Sequence, residues 1–174
     1  MHFKKAIKMK TKKWIIAILL MPLLMNCSSE NMNSRGTVAL VEKYINAVEE
    51  LDYSTMESLL ADEYVGLGPS FTDSINKSQA LESWKYNVEN LYESIKYTRM
   101  QNASVKIESG PNQGNWVSSW SELTIRYKNK ASVVIWANTT YKIENDKIVK
   151  SFTFYNEADA LRQLGYIFIH PNDL

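Results

Sequence analysis

Apolar residues recur along this chain first with the spacing of helices and then with that of strands. From Thr37, Val38, Val41, Ile45 and Val48 fall on one stripe, with Leu40, Tyr44, Ala47 and Leu51 beside it. This predicts an amphipathic helix of about four turns. Ser54 and Glu57 have capping-box spacing ahead of Leu59 and Leu60, which predicts a second, short helix. Tyr64 to Gly68 reads as a brief extended piece broken by Gly66, Gly68 and Pro69. Asn76, with Gln79 three residues on, opens a third helix whose stripe is Leu81, Trp84, Val88 and Leu91. Four runs rich in β-branched and aromatic residues follow: Ile95 to Ile107, Trp116 to Tyr127, Ala131 to Ile143 and Ile148 to Tyr155. Turn chemistry separates them at Gly110 to Gly114, Asn129-Lys130 and Asn145-Asp146. Short connections imply antiparallel neighbours. The expected class is α+β, with three N-terminal helices on one face of a strongly curved antiparallel sheet.

The segment before Thr37 has a different character. Six lysines and no acid occupy the first 13 residues, and residues 14–25 are apolar throughout. Twelve apolar residues at about 1.5 Å each reach roughly 18 Å as a helix, too short for a hydrocarbon core of about 30 Å. The segment reads as a signal peptide over residues 1–26. Cys27, the only cysteine, stands directly after it and resembles the lipid-bearing cysteine of bacterial lipoproteins, although Asn26 stands where a small residue is usual. An ordinary secretory signal with a chance cysteine is the alternative. Ser28 and Ser29, with no aspartate, resemble the outer-membrane retention pattern. Residues 27–36 then form a lipidated tether and residues 37–174 the domain. A single cysteine excludes an intramolecular disulfide.

Loss of residues 1–26 changes the charge. It leaves 14 of the 20 basic residues against all 19 acids, a formal charge of −5. No basic stripe remains, Arg126, Lys128 and Lys130 sit at a hairpin tip, and no nucleic-acid partner is expected. His170, the only histidine beyond residue 26, lies in a tail that reads as frayed. One histidine and one acylated cysteine cannot assemble a zinc or non-haem iron site, so neither a metal nor another cofactor is expected. Gly66-Leu67-Gly68 precedes proline rather than a helix, which argues for a turn and against a phosphate cradle. Glu122, the one carboxylate well inside a strand run between Trp116 and Phe154, alternates with Ser118, Trp120 and Thr124 and reads as facing solvent.

The element order, with YINAVEELDYSTMESLLADEYVGLGP (44–69), the Asn76-Lys77 helix entry and KIVKSFTFYNEADALRQLG (147–165), resembles the nuclear transport factor 2-like superfamily. The SnoaL-like and ketosteroid-isomerase-like branches are the most similar. The resemblance implies a cone of helices and bent sheet around an apolar pocket. In the isomerases an aspartate base moves the proton while a tyrosine and a protonated aspartic acid hold the oxyanion. Tyr44 matches the tyrosine, but the base position falls on Gly68 and the buried acid's on or near Thr139. Losing a positioned base removes roughly 10²–10⁴ in rate and losing an oxyanion donor roughly 10²–10³, so no steroid isomerase activity is expected.

The superfamily register implies an interior lined by Tyr44, Val48, Trp84, Ala137, Thr139, Ser151, Thr153 and Tyr155, with Trp120 as a further candidate. Aromatic and apolar groups with a few hydroxyls suit a small-molecule pocket, and equally a filled core in which Tyr44 is a satisfied core tyrosine. The expected function is a non-catalytic, lipid-anchored envelope protein, held to the membrane through lipid on Cys27. It either takes a small apolar or aromatic ligand or serves as an interaction module. The alternative is a SnoaL-like lyase, cyclase or isomerase acting on a small polyketide- or steroid-like substrate. A homodimer through the open sheet face is a third reading.

Overall fold

The computed structural model describes residues 26–173, with side chains from residue 34 onward except that of residue 171. Residues 1–25 of the expected signal peptide and the side chain of Cys27 lie outside the described residues. The chain divides into two compact units, 1–36 and 37–174, and the sheet belongs to the second. Helix α1 spans Asn26–Glu50, starting well before the onset of the apolar stripe at Thr37. No proline interrupts this stretch, and a helix can extend through residues that carry no stripe. Val41, Tyr44, Ile45, Ala47 and Val48 form its buried side, at the i, i+3, i+4, i+7 spacing of one helical face.

Leu51 ends α1 in the left-handed region at φ 62°. Asp52 then caps helix α2 (Tyr53–Leu59), accepting from the Thr55 amide at 3.0 Å. The cap is therefore Asp52 and not Ser54: the carboxylate two residues earlier captures the free amide first. Strand β1 (Leu60–Leu67) and the short β2 (Ser74–Asn76) follow. The expected brief extended piece is thus a full strand. Helix α3 (Lys77–Tyr86) carries the expected capping box, Asn76 accepting from the Gln79 amide and Gln79 from the Asn76 amide, both at 2.9 Å. A π-helical turn (Asn87–Leu91) closes it.

Four long strands complete the sheet: β3 (Tyr92–Ile107), β4 (Gly114–Tyr127), β5 (Ser132–Glu144) and β6 (Lys147–Tyr155). Asn145 and Asp146 both take positive φ, 50° and 57°, the two-residue hairpin geometry that matches strand twist. Helix α4 (Glu157–Gln163) and a 3₁₀ turn (Pro171–Asp173) end the described chain. His170 is exposed there, its Nδ1 accepting from the Asn172 amide at 3.2 Å.

The six strands lie in the order β2-β1-β6-β5-β4-β3. The meander β3 to β6 is antiparallel as expected, but β1 adds to β6 in parallel. A bulge at Arg99, φ 52°, shifts the β3 register between Thr98 and Gln101, and such insertions sharpen twist and bend a strand. The result is a curved, unclosed α+β sheet. Its inner face packs against α1, α2 and α3 in a core that includes Val41, Ile45, Val48, Met56, Leu60, Val117, Ile143 and Ile148.

Polar side chains close two open stretches of this sheet. β3 is an edge strand, and its Tyr97 amide, with no strand neighbour, donates to Glu49 Oε1 of α1 at 2.5 Å. β6 pairs with β5 only from Ala137 onward, leaving Val134 unpaired on that side. There the Gln163 carboxamide accepts from the Val134 amide and donates to its carbonyl, both at 2.9 Å, as a neighbouring strand would. Gln163→Ala is expected to cost about 1 kcal/mol in urea unfolding, within the range for exposed hydrogen bonds. An unchanged midpoint would show that water replaces the clamp without loss.

Candidate functional site

Register arranges the inner face in rows, because paired residues project to the same side. One row runs Asn102, Ser119, Thr139, Thr153 across β3 to β6, with Val117, Tyr141 and Ser151 on one side of it and Ser121, Ala137 and Tyr155 on the other. Of the residues expected to line an interior, Ala137, Thr139, Ser151, Thr153 and Tyr155 stand on this face, and Tyr44 and Val48 reach it from α1. Ala137, Thr139, Thr153 and Tyr155 are partly exposed, whereas Tyr44, Val48 and Ser151 are buried. The inner face is therefore packed shut toward Tyr141 and reachable at Thr139 and Ala137.

Trp84 packs against the core from α3, edge-on to Tyr92 at 6.4 Å, and Tyr92 in turn meets Tyr127 edge-on at 5.3 Å. Trp120 does not join them. It pairs with Asn138, which pairs with Phe154, so alternation turns it to the outer face, where Nε1 donates to Gln101 Oε1 at 3.2 Å. Glu122 shares that outer face, accepting from Thr98 Oγ1 at 3.1 Å with Arg99 at 3.5 Å. Trp136, 61% exposed, and Phe154, 57% exposed, make this face strongly aromatic.

Hydroxyls dominate the inner rows. Tyr64 Oη and Ser151 Oγ are 2.7 Å apart, and Thr139 and Thr153 share a bond at 3.2 Å. Tyr44 meets Tyr141 edge-on at 5.9 Å. Burial pushes the Tyr44 phenol well above its ordinary value of 10.0, and the neighbouring phenols of Tyr64, Tyr141 and Tyr97 add to the shift. Burial likewise raises Tyr141 and Tyr97, the latter also through Glu49, and moves Tyr92 up to about 12. These phenols stay protonated at neutral pH.

Neither position implied for isomerase chemistry carries an acid, and geometry explains one of them. Gly68 has φ +90°, and a Cβ placed there would lie 2.3 Å from the Thr153 carbonyl oxygen. The backbone of β1's end is pressed against β6, so no side chain fits. Gly66 and Leu67 belong to β1 rather than to a turn.

Glu49 and Glu42 of α1, both outside the expected set, approach the inner face. Glu49 accepts from the Tyr97 amide, and Glu42 Oε1 accepts from Asn102 Nδ2 at 3.0 Å. Their spacing of seven residues puts them on one flank of the helix, a signal readable beside the stripe but easily taken for a solvated edge. Tyr64, Tyr97, Tyr141 and Asn102 are likewise outside the expected set. Among the described residues, no group of three histidine, cysteine or acidic side chains is placed to hold a metal ion.

No protein-family profile and no curated protein sequence matches the chain. Solved structures do. A proposed polyketide cyclase from Xanthomonas campestris pv. campestris superposes with a TM-score of 0.64 at 12% identity, covering 76% of this chain and 98% of its own. An LEH-like epoxide hydrolase from M. tuberculosis gives 0.59 at 14% identity, covering 76% and 91%. An NTF2-like protein from Burkholderia xenovorans gives 0.58 at 13%, covering 75% and 96%. The chain has the nuclear transport factor 2-like fold. Its structural neighbours include SnoaL-like polyketide cyclases.

The close approach at Gly68 and the buried phenols each have a measurable consequence. Gly68→Asp, which places a carboxylate where the resemblance implies the isomerase base, is expected to destabilise by about 2 kcal/mol or more. A folded variant of unchanged stability would refute the backbone contact. The phenols set an alkaline limit. The unfolded chain releases tyrosine protons near 10.0 while the folded chain retains them, to about 12 for Tyr92. Folding stability from these groups is therefore fully present below pH 10 and falls as pH rises beyond it. In an ultraviolet pH titration the buried tyrosines should ionise together with unfolding. Ionisation at their ordinary value in the intact fold would contradict this.

Proposed function

We propose that this protein is a lipid-anchored component of the bacterial cell envelope whose inner sheet face binds a small apolar or aromatic molecule without transforming it. One observation carries the reading. Around the reachable part of that face stand hydroxyls, aromatic rings and Ala137, while the sequence resemblance puts the isomerases' acids at Gly68 and on or near Thr139, neither of which is an acid. The fold supports it too, since proteins named as cyclases and an epoxide hydrolase share it, but a fold does not fix a chemistry. The anchor rests on the apolar run of residues 14–25 followed closely by Cys27, and Ser28 and Ser29 favour the outer membrane.

A second reading, a SnoaL-like lyase, cyclase or isomerase acting on a polyketide- or steroid-like substrate, gains support from Glu42 and Glu49, the carboxylates that α1 brings to the inner face. The aromatic outer face fits a homodimer through the sheet, or an interaction module.

The test uses the full chain in detergent and a library of small aromatic fragments, read by tryptophan fluorescence and protein-observed NMR. Binders are expected to shift signals of residues around Thr139, and Ala137→Phe, which fills the space, to weaken them by about tenfold or more, the effect of roughly 1.4 kcal/mol. If no fragment shifts these signals, the pocket reading fails; turnover of a bound fragment would favour the enzyme instead. In the same preparation, Cys27→Ser should move the chain out of the membrane fraction, and unchanged fractionation would refute the anchor.

A further inference from the structure

The polar side of the inner face has a defined sign. Glu42 Oε1 accepts from Asn102 Nδ2 at 3.0 Å. A carboxylate accepts and does not donate, so this contact orients the carboxamide: its nitrogen faces Glu42 and its oxygen faces away. Asn102 Oδ1 is buried and receives no hydrogen bond from the protein. A buried acceptor left in that state is costly, and an explanation is owed for each one in a folded protein. Asn102 stands in the same row as Ser119, Thr139 and Thr153, the row that the partly exposed part of the inner face contains.

The charges nearby all have one sign. Glu42 and Glu49 approach from α1, and the rows between Val117 and Leu123 hold no lysine or arginine on the inner side. Lys106, one row further on, pairs with Glu108 at 3.2 Å, and Arg99 stands on the outer face with Glu122 at 3.5 Å. An anion entering here would meet carboxylates with no cation to offset them, in surroundings that screen charge less than water does.

We infer that the ligand is a neutral molecule with an apolar body and one hydroxyl or N–H donor, which it directs to Asn102 Oδ1, and that carboxylate- or phosphate-bearing molecules are excluded. This inference rests on the reading of the inner face as a ligand pocket and adds the class of molecule that fits it. A donor satisfies the free acceptor. An ether or a hydrocarbon of the same shape buries it unsatisfied, and sites built to hydrogen-bond a group discriminate strongly against its absence.

Three probes of nearly one shape separate the possibilities: naphthol, its methyl ether methoxynaphthalene, and naphthoate. Their binding to the full chain in detergent is followed by fluorescence at neutral pH. Naphthol is expected to bind about tenfold or more tightly than the ether, and naphthoate weakest of the three. Asn102→Leu should remove the preference for naphthol over the ether. Glu42→Gln keeps an acceptor for Asn102 but removes the charge, so it should raise naphthoate affinity while leaving the naphthol preference in place. This second variant preserves the inner-face hydrogen bond and guards against a misfolded Asn102→Leu. Equal binding of naphthol and ether, or naphthoate binding as tightly as naphthol, overturns the inference and leaves the pocket standing. If none of the three binds, the pocket reading and this inference fall together.

Discussion

An open sheet has backbone groups along its margins that no strand accepts, and each must find a partner or be left to water. In this domain helices supply those partners at two margins. Glu49 takes the Tyr97 amide on edge strand β3, and Gln163 takes both groups of Val134 where β6 stops short of β5. The first contact has a second effect. It locks the register of α1 against the sheet, and that register sets Tyr44 over Tyr141 and Glu42 beside Asn102. The inner face owes its layout to the requirement that a helix pack its stripe and also serve an edge.

Chemistry on that face is constrained by how closely the strands approach. Where β1 ends, Gly68 lies against the Thr153 carbonyl, so backbone fills this point and leaves no room for a side chain. The polar character of the face comes instead from hydroxyls bonded to one another and from phenols kept neutral by burial. Such groups orient a bound molecule well and move protons poorly at neutral pH. Glu49 and Glu42 are engaged with an amide and a carboxamide.

Local signals are legible in the sequence and distant ones are not. The Asn76 and Gln79 capping box, the two-residue turn at Asn145 and the four long strands depend on neighbours a few residues apart, and each appears close to its expected place. The α2 cap goes to Asp52 because two competent residues stand two positions apart and the carboxylate wins. The parallel pairing of β1 with β6 joins residues more than eighty positions apart, and no periodicity encodes that. Within the site, alternation is enough to turn Trp120 outward with Asn138 and Phe154. Glu42 and Glu49 escape a reading of the sequence because a charged residue on a helix flank looks the same whether it meets water or an edge amide. Asn102 is hidden by the Arg99 bulge, which breaks the two-residue rhythm of β3 just before it.

The strand order also governs when the domain can be assembled. β1 is made early, yet its neighbour β6 is nearly the last element to emerge, and the sheet that covers the apolar stripe of α1 is made in between. Until β6 emerges, β1 has only β2 on one side and an open edge on the other. Closing so long a loop is slow, and exposed apolar surface invites association meanwhile. A nascent chain of this topology keeps that edge open, and needs shielding from its neighbours until the final strand arrives.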